Sequence, residues 1–108
     1  MKTILLILFT SLFTSLNTHS TRLLTSSVVV KRLSSCDYFL LYNKSGYVVA
    51  EHMGGHEFDE GKVVYGNINS YGTKDIYDED LDEKEHVYIE DWGLSKSDAI
   101  EKLLDKCN

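Results

Sequence analysis

The chain has 108 residues, enough for one small domain, with 11 Lys and Arg against 17 Asp and Glu and a net charge of −6. Every acid lies at or after Asp37, so residues 36–108 hold seven Lys, no Arg and a net charge of −10. Such a surface repels nucleic acid and anionic lipid, which excludes a DNA- or RNA-binding role.

Met1-Lys2 leads into an apolar run from Ile4 to Leu16. That run has the length of a signal-peptide core and is too short to span a bilayer as a helix, which takes about 20 residues. Thr18 and Ser20 are small residues at −3 and −1 of a cut after Ser20. Residues 1–20 therefore read as a signal peptide, and the mature protein is expected to be secreted. The lumen of an organelle reached through the secretory pathway is the alternative.

Residues 21–35 are rich in Ser and Thr, contain Arg22, Lys31 and Arg32, and have no acid. Lys31-Arg32 looks like a dibasic processing site, which makes this stretch a pro-segment. A signal peptide followed by an acid-free basic stretch also resembles a bipartite import signal. Leu33-Ser34-Ser35-Cys36 has the form of a lipobox, but Lys31-Arg32 interrupts the apolar core that should precede it. Each reading sets residues 21–35 apart from a single compact domain at 36–108.

That domain contains two cysteines, Cys36 and Cys107. In an oxidising compartment they make one disulfide joining the two ends of the domain. Closing so long a loop in the unfolded chain is worth roughly 4 kcal/mol. This matters to a domain with a small core.

No Pro occurs, so chain reversals fall to Gly, Asn and Asp. Residues 37–42 read as a buried strand, Asn43-Lys44-Ser45-Gly46 as a turn, and 47–52 as the returning strand of a hairpin. Gly54-Gly55 is the next turn signal, and residues 56–59 are expected to pair back briefly. Residues 62–68 form a further strand, 75–85 an acidic loop, and 86–91 a last strand ended by Gly93. Ser95-Lys96-Ser97-Asp98 fits a capping box, and Ile100, Leu103, Leu104 and Cys107 fall on one helical face. The expected fold is α+β: a small antiparallel β-sheet of four to five strands with one C-terminal helix packed on one face.

Signals for chemistry are sparse. Asn43-Lys44-Ser45 is an N-glycosylation sequon at a hairpin tip. His52, His56 and Glu57 are metal-ligand types close in sequence, but Gly54-Gly55 argues against the helix that would align the two histidines. With Gly54-Gly55 as a hairpin turn, His52 and Glu57 become cross-strand neighbours. Asp78, Asp80 and Asp82 match the first three ligand positions of an EF-hand loop. Glu83 stands where Gly is needed and Ile89 where Glu is needed, so the motif fails.

Asp78, Asp80 and Asp82, with Tyr77 and Trp92, are read instead as an acidic and aromatic surface for a protein partner, one carrying basic charge. No nucleophile, cofactor motif or paired-acid pattern stands out. The leading expectation is a small secreted, disulfide-stapled binding or effector protein that needs no cofactor and is not an enzyme. Two alternatives are an accessory subunit of a larger complex and a small metal-dependent hydrolase using His52 and His56.

Overall fold

The structure, a computed structural model, describes residues 24–108. The expected signal peptide and its cut after Ser20 lie outside them. Six strands form an antiparallel sheet: β1 (Thr25–Arg32), β2 (Tyr38–Asn43), β3 (Gly46–Gly55), β4 (Val63–Gly66), β5 (Gly72–Tyr77) and β6 (Lys84–Leu94). Their spatial order is β1-β2-β3-β6-β5-β4, and β4 pairs back onto β1 to close a barrel. One helix follows, α1 (Lys96–Cys107). The expected open sheet of four to five strands is thereby corrected: two further strands close it and leave no free edge.

The first of these is β1, which lies inside the stretch set apart as a pro-segment. Thr25-Ser26-Ser27-Val28-Val29-Val30 is rich in β-branched and hydroxyl residues that suit a pleated surface. It pairs with β2 on one side and β4 on the other, so the domain includes residues well before Cys36. The second is β5, at the position expected to begin an acidic loop. Its sequence, Gly-Thr-Lys-Asp-Ile-Tyr, has a single aliphatic residue and almost no alternating signal. Pairing along its whole length with β6 makes it a strand, an override of weak local preference by tertiary context.

Eleven buried side chains fill the barrel, among them Val29, Phe39, Leu41, Val48, Val87 and Ile89. Each fully buried side chain of this size contributes roughly 1.5–3 kcal/mol. Two loops stopper the ends. Residues 56–62 bring Phe58 into one end, and residues 67–71 bring Ile68 into the other.

Gly54-Gly55 is not a turn. β3 runs through both, and the polypeptide leaves the strand after Gly55, whose φ is +78°. A Cβ there would stand 2.6 Å from the Lys84 carbonyl oxygen, so β3 and β6 approach this closely only because the residue is glycine. His52 faces Val87 across the ladder and not Glu57.

A bulge in β1 shapes both faces of the wall. Val29 pairs with Leu41 and Lys31 with Leu40, leaving Val30 as the extra residue. Alternation would turn Lys31 inward and Arg32 outward. With the extra residue, Val30 and Lys31 both border the outer wall and Arg32 reaches the interior.

Helix α1 lies across the outside of β2 and β3. Ser95 caps it by accepting from the Asp98 amide at 3.2 Å. Ala99 and Leu103 bury themselves on Leu40 and Val49, the outward residues of β2 and β3. The expected apolar stripe is only partly covered: Leu103 is buried, whereas Ile100 is 40% and Leu104 49% exposed. Cys107, in the last turn, is disulfide-bonded to Cys36 in the β1–β2 loop, with Cα atoms 5.5 Å apart.

Since β1 supplies ladders to two neighbours, losing it would open two edges and expose Val29 and its contacts. A chain starting at Leu24 is expected to unfold cooperatively on heating. One starting at Leu33 is expected to show no cooperative transition by circular dichroism.

Candidate functional site

Four groupings of side chains have the chemistry to concern function. The first sits under the 56–62 loop. Glu85 projects from β6 into the barrel and is fully buried. Its Oε1 accepts from Arg32 Nη2 at 2.7 Å and from the Phe58 amide at 3.2 Å. Its Oε2 accepts from Arg32 Nη2 at 3.0 Å and hydrogen bonds His52 Nδ1 at 2.6 Å. Arg32 also donates Nε to the Phe58 carbonyl and stacks its guanidinium 3.7 Å from the Phe39 ring centre. A carboxylate has about four acceptor positions, and all of these are taken. Glu85 therefore has no free lone pair with which to act as a general base. The cluster ties β1, β3, β6 and the stopper loop together, which is a structural role.

The second grouping mirrors it at the opposite end. Asn43 is 5% exposed and donates Nδ2 to Ser27 Oγ at 3.2 Å and to Asn69 Oδ1 at 3.1 Å. Its Oδ1 accepts from the Ser45 amide. Nδ2 is the atom that a glycan would occupy, and both its hydrogens are already used inside the barrel mouth. The sequon therefore marks a hairpin whose asparagine side chain is hydrogen-bonded within the fold.

The third lies along the β6 flank of α1. Lys102 pairs with Asp91 at 2.8 Å and Lys106 with Glu90 at 3.3 Å. The Asp91 carboxyl is held below its ordinary range chiefly by the Lys102 hydrogen bond, and the Lys102 ammonium is raised by the same contact. Tyr71 donates to Asp91 and packs edge-on against Trp92, with centroids 6.5 Å apart.

The fourth is a cleft of about 390 Å³ on the other flank of α1, between the helix and β1. Leu40 and Tyr47 belong to its lining, as do Val30 and Leu33 on the β1 side and Ile100 and Leu104 on the helix. Lys31 and Lys96 also border it. Among the described residues neither lysine is in an ion pair, and no carboxylate lines the cleft.

No protein-family model matches this chain, and no curated protein or solved structure matches it either.

The residues singled out in the sequence are mostly kept apart. His52 turns in to Glu85, His56 pairs with Glu83 at 2.7 Å, and Glu57 is exposed on the loop. His86 bonds Asp75. Among the described residues no three His, Cys, Asp or Glu side chains gather as metal ligands would. Asp78, Asp80 and Asp82 lie in the β5–β6 loop, where Asp78 Oδ1 accepts from the Asp82 amide at 2.8 Å. Tyr77 adjoins that loop. Trp92 stands near the far end of β6, so the expected acidic and aromatic face is divided between two ends of the barrel. Cys36 and Cys107 do meet.

Sequence reasoning missed Arg32 and Glu85 as a pair, and it missed the cleft. Arg32 is the only Arg after residue 22, a signal that a particular place requires a guanidinium.

Replacing Arg32 by Ala would leave a buried carboxylate without its cation and is expected to cost about 3–5 kcal/mol by chemical denaturation. The Asp91 carboxyl has a lowered folded-state value, so its contribution is present above the unfolded carboxyl's range, about pH 4, and is lost as pH falls through the folded value. Thermal melts should show wild type above Asp91→Asn near pH 6, with the gap closing as the pH drops below about 4.

Proposed function

We propose that this chain is a small binding protein of an oxidising, extracytoplasmic compartment, acting through the cleft between α1 and β1 and not by catalysis. The observation that carries this reading is the asymmetric seating of α1. Its Lys102 and Lys106 flank is latched to β6 by ion pairs, and its C-terminal turn is tied to the β1–β2 loop by the disulfide. Its Ile100 and Leu104 flank is left standing over an open apolar cleft. A helix that could have covered β1 instead holds two aliphatic side chains half in water, which burial would stabilise.

Two further observations support the reading. The barrel interior is filled by side chains, which leaves the outer wall as the place to bind. The buried Glu85, the group most like a catalytic acid, has all its acceptor positions occupied. The disulfide fits a secreted protein, as does the expected signal peptide. An extracellular location and a function without cofactor belong to the same proposal.

A neutral apolar probe, N-phenyl-1-naphthylamine, tests the cleft directly. Wild type is expected to enhance its fluorescence saturably. Ile100→Glu with Leu104→Glu, both at half-exposed positions, should weaken binding at least about tenfold while keeping the cooperative melting transition. Trp92→Ala should leave it unchanged. Equal binding by wild type and the double variant, or loss with Trp92→Ala alone, would move the site elsewhere and overturn the reading.

A further inference from the structure

We infer that the cleft takes a single-chain amphiphile with a carboxylate head, such as a medium- or long-chain fatty acid. This inference rests on the cleft being the binding site. It adds the chemistry of the ligand, which comes from three observations.

The first is size. A stable protein–protein interface uses roughly 20–30 residues a side, whereas nine residues line this cleft. Its volume of about 390 Å³ falls instead in the range of small-molecule sites, about 300–1,000 Å³.

The second is polarity. Seven of the nine lining residues are aliphatic or aromatic, and both of the others are lysines. An apolar floor with charge only at the border suits a ligand that is hydrocarbon along its length and charged at one end.

The third is sign. The barrel and helix from Thr25 onward contain 17 acids against nine Lys and Arg. Against that background a cleft bordered by two lysines and no carboxylate is a local reversal of charge. Both cations are free to serve a ligand, since among the described residues neither Lys31 nor Lys96 is ion-paired. They also come from different elements. Lys31 is turned to the outer wall by the β1 bulge, and Lys96 opens α1. Lysine near a helix start is locally unfavourable, because that end of the helix carries positive partial charge. The acidic field elsewhere would repel the same anion, which confines productive approach to this border.

The acyl chain would lie over Leu40 and Leu103 between Val30 and Leu104, with its carboxylate at the lysine border of the cleft. Both lysines are exposed, so their attraction for the head is modest and falls as salt rises. Most of the affinity comes from the chain and most of the selectivity from the head.

The test is displacement of N-phenyl-1-naphthylamine from the full disulfide-bonded protein by dodecanoate, 1-dodecanol and dodecyltrimethylammonium, each below its aggregation limit. Dodecanoate is expected to bind about tenfold more tightly than the alcohol, with the ammonium weakest. The preference should shrink in 0.5 M salt. Lys31→Gln with Lys96→Gln should abolish it while leaving binding of the neutral probe unchanged, which shows that the fold and the cleft are intact. Equal displacement by all three compounds, or a preference that survives loss of both lysines, would overturn the carboxylate assignment and leave the cleft reading standing. Failure of all three to displace a probe that the Ile100 and Leu104 variant no longer binds would overturn the amphiphile and point to an apolar anchor from a protein partner. Absence of probe binding to wild type would instead overturn the cleft reading itself.

Discussion

A single buried carboxylate constrains the architecture. Glu85 sits inside the barrel, where an uncompensated charge is costly, and the surrounding chain is arranged to satisfy it. Arg32 must reach inward from β1, His52 from β3, and the Phe58 amide must be brought over the barrel mouth. Arg32 can do so only because the bulge at Val30 reverses the alternation of β1. The same one-residue shift leaves Val30 and Lys31 together on the outside. The polar interior and the proposed ligand cleft are thus two consequences of one irregularity: a regular β1 would point Arg32 into solvent and Lys31 into the barrel.

Closure follows from the same strand. β1 is paired on both sides, and its interior end is anchored by Arg32 to β6, its neighbour across the barrel. The β4–β5 seam, by contrast, rests on a single paired position, Tyr65 with Tyr77. Gly66 at that seam brings the two backbones together, because a Cβ would stand 2.8 Å from the Asp75 carbonyl oxygen. The barrel is firm where charge and two full ladders hold it and thin where β4 is only four residues long. Both end loops then act as stoppers, Phe58 at the Glu85 end and Ile68 at the Asn43 end. They complete a core that six short strands could not close alone.

What was legible in the sequence was local. The Asn43–Gly46 hairpin, the Ser95 cap and the Cys36–Cys107 bond each depend on a few residues with specific requirements, and each stands where those residues place it. What was not legible depended on partners distant in the chain. β5 carries too little aliphatic patterning to declare itself, and β1 was obscured by Lys31-Arg32, whose basic pair has the form of a processing signal. Asn43 shows the same limit at the level of one side chain. A sequon at a turn reads as exposed, but turning this asparagine inward depends on Ser27 and Asn69. His52 and His56 are close in sequence, yet an interior carboxylate claims one and a loop carboxylate the other.

The helix stripe shows why the cleft in particular escaped notice. Ile100, Leu103 and Leu104 have the spacing of a core-facing stripe, and periodicity alone assigns all three to the interior. In the folded domain Lys102 and Lys106 pair with β6, while Ala99 and Leu103 fill the contact with β2 and β3. Only part of the stripe is then buried. The two ion pairs are exposed and contribute little stability each, so the seat of α1 is set mainly by the packing of Ala99 and Leu103 and by the disulfide. The ion pairs lie on the β6 flank of α1, and the open cleft lies on the flank facing β1. Apolar surface that a sequence reading counts towards the core is left instead as a wall of the proposed cleft.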